Sequence, residues 1–205
     1  MAKPQLTCLF CSSVTAPQLL CSPAGRDLGG DLLVDCGLQP SFAAGLELEL
    51  PAEFPGLAGL LGGLPLGDLV RTSKRLPLPF LPAASRPQAA APVRSALQLL
   101  PQCEAGFARI TLLVPLADAR ALGAALAVAH RFAIAWDISE PPHEELTDFA
   151  RWLDSEPLAD RTSFAGLFPY AGREIDPAHR QRLEPALAPL AQIGRSPLNV
   201  ITVGS

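Results

Sequence analysis

The sequence predicts an α/β or α+β chain: a mixed sheet with helices packed on it, ferredoxin-like or a small open sheet, behind a small N-terminal cysteine-rich module. Two observations carry this expectation. Ala108 to Pro115 is a β-branched and leucine-rich run suited to a buried strand, Ala117 to Arg131 is Ala/Leu-rich at helical length, and Phe132 to Ile138 is a second apolar run. This reads as strand, helix, strand, with a right-handed crossover if the two strands are parallel in one sheet. The second observation is the crowding of Cys8, Cys11, Cys21 and Cys36, four of the five cysteines, into the first 36 residues.

Taken in order, residues 1–50 hold those cysteines and two short strand-like runs, Asp31 to Asp35 and Leu46 to Leu50, the second alternating Leu with Glu as a half-buried strand does. Residues 51–105 carry many of the 22 prolines. Proline lacks a backbone donor and biases the residue before it to extended geometry, so irregular chain draped on the core is expected there, with Ala83 to Pro92 as a loop. Residues 106–205 form the α/β core. After its strand-helix-strand unit, Pro141 and Pro142 open a helix with an amphipathic face at Phe149, Trp152 and Leu153. A further helix is expected from Pro177 to Ile193, and a last strand from Leu198 to Val203.

With 49% hydrophobic residues the chain is globular, and 205 residues can bury a substantial core. A net charge of -4 argues against broad electrostatic capture of nucleic acid or an anionic membrane. The longest uncharged stretch, Phe54 to Gly67, is broken by five glycines and two prolines and is too short to span a bilayer. No signal-peptide pattern precedes the cysteines, and the odd cysteine count fits a reducing compartment, so a cytoplasmic protein is expected.

The cysteines read C-x2-C-x9-C-x14-C. A two-residue gap lets Cys8 and Cys11 present two sulfurs to one ion, and Cys21 and Cys36 would complete a tetrahedral, structural zinc site with no position left for substrate. The fourteen-residue gap departs from the second knuckle of a zinc ribbon. The alternatives are core packing of Cys8 and Cys36 within apolar strands, and a redox C-x-x-C lacking the usual strand-helix context. Cys103 stands alone and reads as a small packed side chain.

A second constellation gathers Asp137, Glu140 and His143 at a strand-to-helix loop, where acid/base chemistry or a divalent ion is conceivable and stabilisation of the helix start is the simpler reading. Asp137 would lie at the carboxyl edge of the sheet, where open α/β sheets place ligands. A third group, Arg71, Lys74 and Arg75, offers a local basic patch for nucleic acid or a solvated surface. No Walker A, G-x-G-x-x-G or G-x-S-x-G sequence occurs, and the glycines from Gly59 to Gly67 lack an accompanying lysine. The expectation is therefore a non-catalytic accessory or assembly subunit with a structural zinc site, acting through a protein partner. A nucleic-acid complex subunit and a small enzyme at residues 137–145 are the alternatives.

Overall fold

A computed structural model of the chain describes residues 3–13, 16–21, 28–38, 41–103, 106–137, 148–149, 151–153, 155–157, 162–171 and 201–202. Seven strands form one sheet: β1 (Gln5–Cys11), β2 (Leu32–Asp35), β3 (Phe80–Leu81), β4 (Arg109–Pro115), β5 (Arg131–Asp137), β6 (Ser163–Ala171) and β7 (Ile201–Thr202). Their order is β3-β2-β4-β1-β5-β6-β7, and every ladder between them is parallel. The mixed and ferredoxin-like sheets of the sequence reading are corrected by this: the sheet is open and parallel. The cysteine-rich module is corrected too, because β1 is the central strand and β2 belongs to the same sheet.

Central parallel strands are buried on both faces, which is why β1, β2, β4 and β5 read as apolar runs without alternation. One face buries Leu6, Phe10, Val34, Leu112 and Ile134 under α3 (Ala90–Leu99) and α4 (Ala119–Leu126). The other buries Leu9, Leu33 and Leu113 under the 3-10 helix Ala16–Cys21 and α1 (Ser41–Gly45). The connections from β3 to β4 and from β4 to β5 run across the sheet in one direction and place α3 and α4 on the first face. The connection from β1 to β2 runs the opposite way and places its 3-10 helix on the second face, as right-handed crossovers require. In the long β2–β3 connection the 3-10 helix Gly56–Gly62 and α2 (Leu66–Leu69) wrap back to pack on the α3 side.

Two glycines are demanded by close approach. A Cβ on Gly30 would stand 2.7 Å from the Arg109 carbonyl oxygen where β2 enters beside β4. Gly56, at φ +55, would place a Cβ 2.3 Å from the Ala84 nitrogen, so the chain leaving β3 can pass only a bare backbone there.

Several elements depart from the sequence reading for identifiable reasons. α3 forms within the proline-rich segment because Pro92 falls in its first turn, where the missing N–H has no intrahelical partner. Leu46 and Glu47 form the turn that closes α1, with Glu47 at φ +53 and Leu46 buried, and residues 48–50 follow without joining a ladder. β6 carries Gly166 and Pro169, which disguise a strand, and Gly166 sits at φ +139 in a run whose pairing with β5 shifts register at Phe132/Ala133. The closing strand is present as β7, while the helix expected from Pro177 to Ile193 lies outside the described residues. No helix among the described residues is long and apolar enough to cross a membrane.

Candidate functional site

Because all the strands run the same way, the sheet has one carboxyl edge, and β4 and β1 are adjacent strands whose connections leave in opposite directions. A crevice outside the strand ends at such a switch point is where this class of sheet binds ligands. Polar groups collect along that edge. Ser12 follows β1 and donates its backbone N–H to the Ala135 carbonyl at 3.1 Å, while its hydroxyl accepts the Asp137 backbone N–H at 2.7 Å. Asp137 ends β5 and is buried. Asp118 caps α4, accepting the N–H groups of Ala121 at 3.0 Å and Leu38 at 3.2 Å, and so ties the β4 exit to the β2 exit.

Asp35 ends β2 and is buried among three chain segments. Its carboxyl accepts the N–H of Gly37 at 2.9 Å and of Phe42 at 3.3 Å, and Ala83 beyond β3 supplies a third backbone donor. Burial dominates those donors and raises its pKa from 3.8 to about 7. The sequence signal for Asp35 was available, since it closes an apolar run as Asp137 does. Ser12 carried no comparable signal.

The four-thiolate centre is corrected by strand parity. Cys8 and Cys36 lie on the α3/α4 face and Cys11 on the opposite one, and no cluster of three or more potential ligands occurs among the described residues. The Cys21 side chain lies outside the described residues. Burial raises the pKa of Cys8, Cys11 and Cys36, with added repulsion from Cys36 and Cys11 on Cys8, and from Asp35 on Cys11 and Cys36. These are core thiols, and the Cys11 and Cys36 S–H groups donate to the carbonyls of Leu9 and Val34. All three are expected to resist iodoacetamide in the folded protein and to react in urea. Rapid native alkylation of all three, read by mass spectrometry, would contradict the core placement.

Of the remaining candidates, Glu140 and His143 lie outside the described residues. Arg71 is held internally: its guanidinium donates to the Asp68 and Val70 carbonyls, both at 2.8 Å, and lies 4.7 Å over the Phe54 ring. Arg75 pairs with Glu47, and Lys74 is exposed. His130 sits at the amino edge, where its Nδ1 accepts the Leu6 N–H at 3.0 Å. On that amino side a cavity of about 590 Å³ is lined by Leu64, Val70, Pro79, Cys103 and Phe107 among others, with no charged side chain.

No protein-family model matches the sequence, and no curated protein matches it. Solved structures do. McdA of Cyanothece in complex with ATP aligns over 98% of this chain and 83% of its own, with a TM-score of 0.61 and 14% identity. The fold is MinD-like. Cobyrinic acid a,c-diamide synthase from Mycobacterium smegmatis with bound ADP and magnesium gives a TM-score of 0.64 at 16% identity, covering 98% and 88% of the two chains. MinD of Aquifex aeolicus, in its complex with MinC, gives 0.62 at 18% identity over 98% and 82%. This MinD-like fold, shared with proteins caught holding ATP or ADP and magnesium, overturns the expected zinc-stabilised, non-catalytic accessory subunit. The open doubly wound arrangement is its architecture.

The β1 exit nevertheless has its own chemistry. Ser12-Ser13-Val14-Thr15-Ala16-Pro17 contains neither glycine nor lysine, and the chain's two lysines are Lys3 and Lys74. Lys3 precedes the amino end of β1, and Lys74 lies in the β2–β3 connection.

Proposed function

We propose that the chain binds a nucleoside phosphate together with magnesium at the carboxyl edge of its sheet, through a lysine-free site. The supporting observation is the coincidence of the switch point between β4 and β1 with Ser12 and Asp137, in a fold whose neighbours hold ATP, or ADP with magnesium, over nearly all of this chain's length. Asp35 and Asp137 are separated by three strand spacings, roughly 14 Å, and so cannot share one ion. Magnesium takes hard oxygen ligands, and Asp137 with the Ser12 hydroxyl would hold it. Bound there, it would neutralise phosphate charge that the two carboxylates otherwise repel.

Two chemical consequences follow from the β1 exit sequence. Without a lysine to reach the β- and γ-phosphates, nucleotide affinity rests on the metal, on hydroxyls and on backbone donors, and turnover is expected to be slow. Without glycines, the loop cannot bring its backbone as close to phosphate as a Walker A loop does. A protein partner is the second reading, favoured by the exposed Leu61 and Leu64 on the Gly56–Gly62 side of the molecule and by the neighbour captured with MinC.

Calorimetric titration with ATP tests the principal reading. Saturable binding is expected with magnesium present, weakening at least tenfold when EDTA replaces it. Absence of binding up to about 10 mM ATP with magnesium, an affinity poorer than about -3 kcal/mol, would overturn it.

A further inference from the structure

The cavity of about 590 Å³ lies beside β3 at the amino end of the sheet, the opposite end of the strands from Ser12 and Asp137. Three stretches of chain wall it: Leu64, Leu66 and Val70 in and around α2, Pro79 just before β3, and Cys103 and Phe107 between α3 and β4. Its volume falls within the range of about 300–1,000 Å³ in which proteins hold small molecules, and apolar walls with few polar groups are the usual lining of such sites. The side-chain polar groups here are the Thr72 hydroxyl and the Cys103 thiol, and the thiol is turned to the Leu99 carbonyl at 3.6 Å.

Two further observations mark this space as a site. Among the described residues, Leu61 and Leu64 are the large apolar side chains left exposed, at 45% and 43%. Both fall where the 3-10 helix Gly56–Gly62 ends, and Leu64 itself lines the cavity. Exposed apolar surface gathered beside an apolar recess differs from the scattered exposure of an ordinary surface. The walls are also pinned by backbone bonds. Arg71 and Phe80 exchange both of their backbone hydrogen bonds, at 2.7 and 2.8 Å, the Val70 N–H donates to the Leu66 carbonyl at 3.1 Å, and the Cys103 N–H to that of Leu100 at 3.2 Å. Segments held in this way do not collapse into the recess, so its lining gains partner atoms only from an occupant.

We infer that this cavity is a second binding site, which takes an uncharged, mainly aliphatic small molecule. The inference goes beyond nucleotide binding and does not rest on it. No charged side chain lines the walls, and the guanidinium of Arg71, next to Val70 in the chain, is committed to the Asp68 and Val70 carbonyls and to the Phe54 ring. A charged group entering here would lose hydration without meeting a counter-charge, whereas an alkyl chain only sheds water. Thr72 is exposed, so a hydroxyl at one end of such a chain finds its polar partner on the solvent side.

Cys103 is half-buried in the wall and so reports occupancy, since a chain lying against it slows its alkylation. Iodoacetamide labelling of the native protein, followed on the Cys103 peptide by mass spectrometry, is expected to slow roughly fivefold with 1-octanol near its solubility limit, and less than about twofold with octanoate or octylamine at the same concentration. Calorimetry of octanol binding at several temperatures is expected to give a negative heat-capacity change. Gly67 also lines the cavity, and a Cβ there would meet no atom within 4 Å, so Gly67→Phe adds a ring without strain; Val70→Phe adds one from beyond α2. In at least one of these variants, each checked for folding by its urea midpoint, labelling is expected to be slow without octanol and unaffected by it. No heat of octanol binding, labelling unchanged by octanol, or full octanol protection in both folded variants overturns the site. Equal protection by octanoate overturns the uncharged class. Protection that rises with protein concentration in the absence of octanol gives the cavity to a second copy of the chain and overturns the small-molecule assignment.

Discussion

Phe10→Ala is expected to lower the free energy of unfolding by about 3–5 kcal/mol, the cost of an aromatic deletion in a core that cannot collapse around the void. Phe10 is completely buried, one residue from the carboxyl end of the central strand. Its ring meets Phe149 edge-on at 5.1 Å, Phe132 at 5.7 Å and Trp152 at 6.4 Å, joining β1 to β5 and to the helical residues 148–149 and 151–153. Strands on either side fix the backbone, so relaxation into the cavity is limited. The shift in urea midpoint, with the slope checked for constancy, measures the effect. A loss below 1 kcal/mol would mean that the aromatic cluster is not a packed unit.

The second large effect concerns Asp35 and pH. Its pKa in the folded chain is raised by burial to about 7, against 3.8 when exposed. Between about pH 4 and pH 7 the folded chain therefore retains a proton that the unfolded chain has released. The unfolded state binds fewer protons, so stability falls as pH rises through that window and the loss is complete above it. Three units of pKa correspond to about 4 kcal/mol. Asp35→Asn cannot lose that proton, so its stability relative to wild type is expected to improve by up to about 4 kcal/mol between pH 4 and pH 8. Its baseline at pH 4 is lowered by imperfect replacement of the bonds from Gly37, Phe42 and Ala83. Urea titrations of both proteins across this range supply the comparison. A difference that does not vary with pH would show that Asp35 is ionised throughout, its three backbone donors outweighing burial.

Much of the sheet was legible where the signal was local. The apolar runs that became β4, β5 and β2 were each read to within a residue or so, and Asp137 fell at the strand end expected of it. The central strand was read as a metal knuckle because cysteine spacing is conspicuous and ladder partners are not: Gln5–Cys11 pairs with residues more than 100 positions away. Parity along the strand decides the matter, since Cys8 and Cys11, three apart, must face opposite ways in extended chain but can converge in a knuckle. The site was harder to read for a related reason. Asp35, Ser12 and Asp137 come from three strand ends and become neighbours of one edge only through the strand order.

The position of β1 has a consequence for how the molecule comes into being. It precedes every other strand of this sheet in the chain, yet both its partners, β4 and β5, follow the intervening β2–β3 segment. At about 5–20 residues per second, the ribosome needs roughly 5 to 25 s after β1 is made before residue 137 is translated. During that interval a seven-residue, largely apolar segment has both edges bare, a condition that favours capture by chaperones or by other nascent chains. Slow, late closure around a strand that has waited longest is thus built into the topology, and yield at high expression should respond to translation speed and holdase supply more than to the final stability of the folded state.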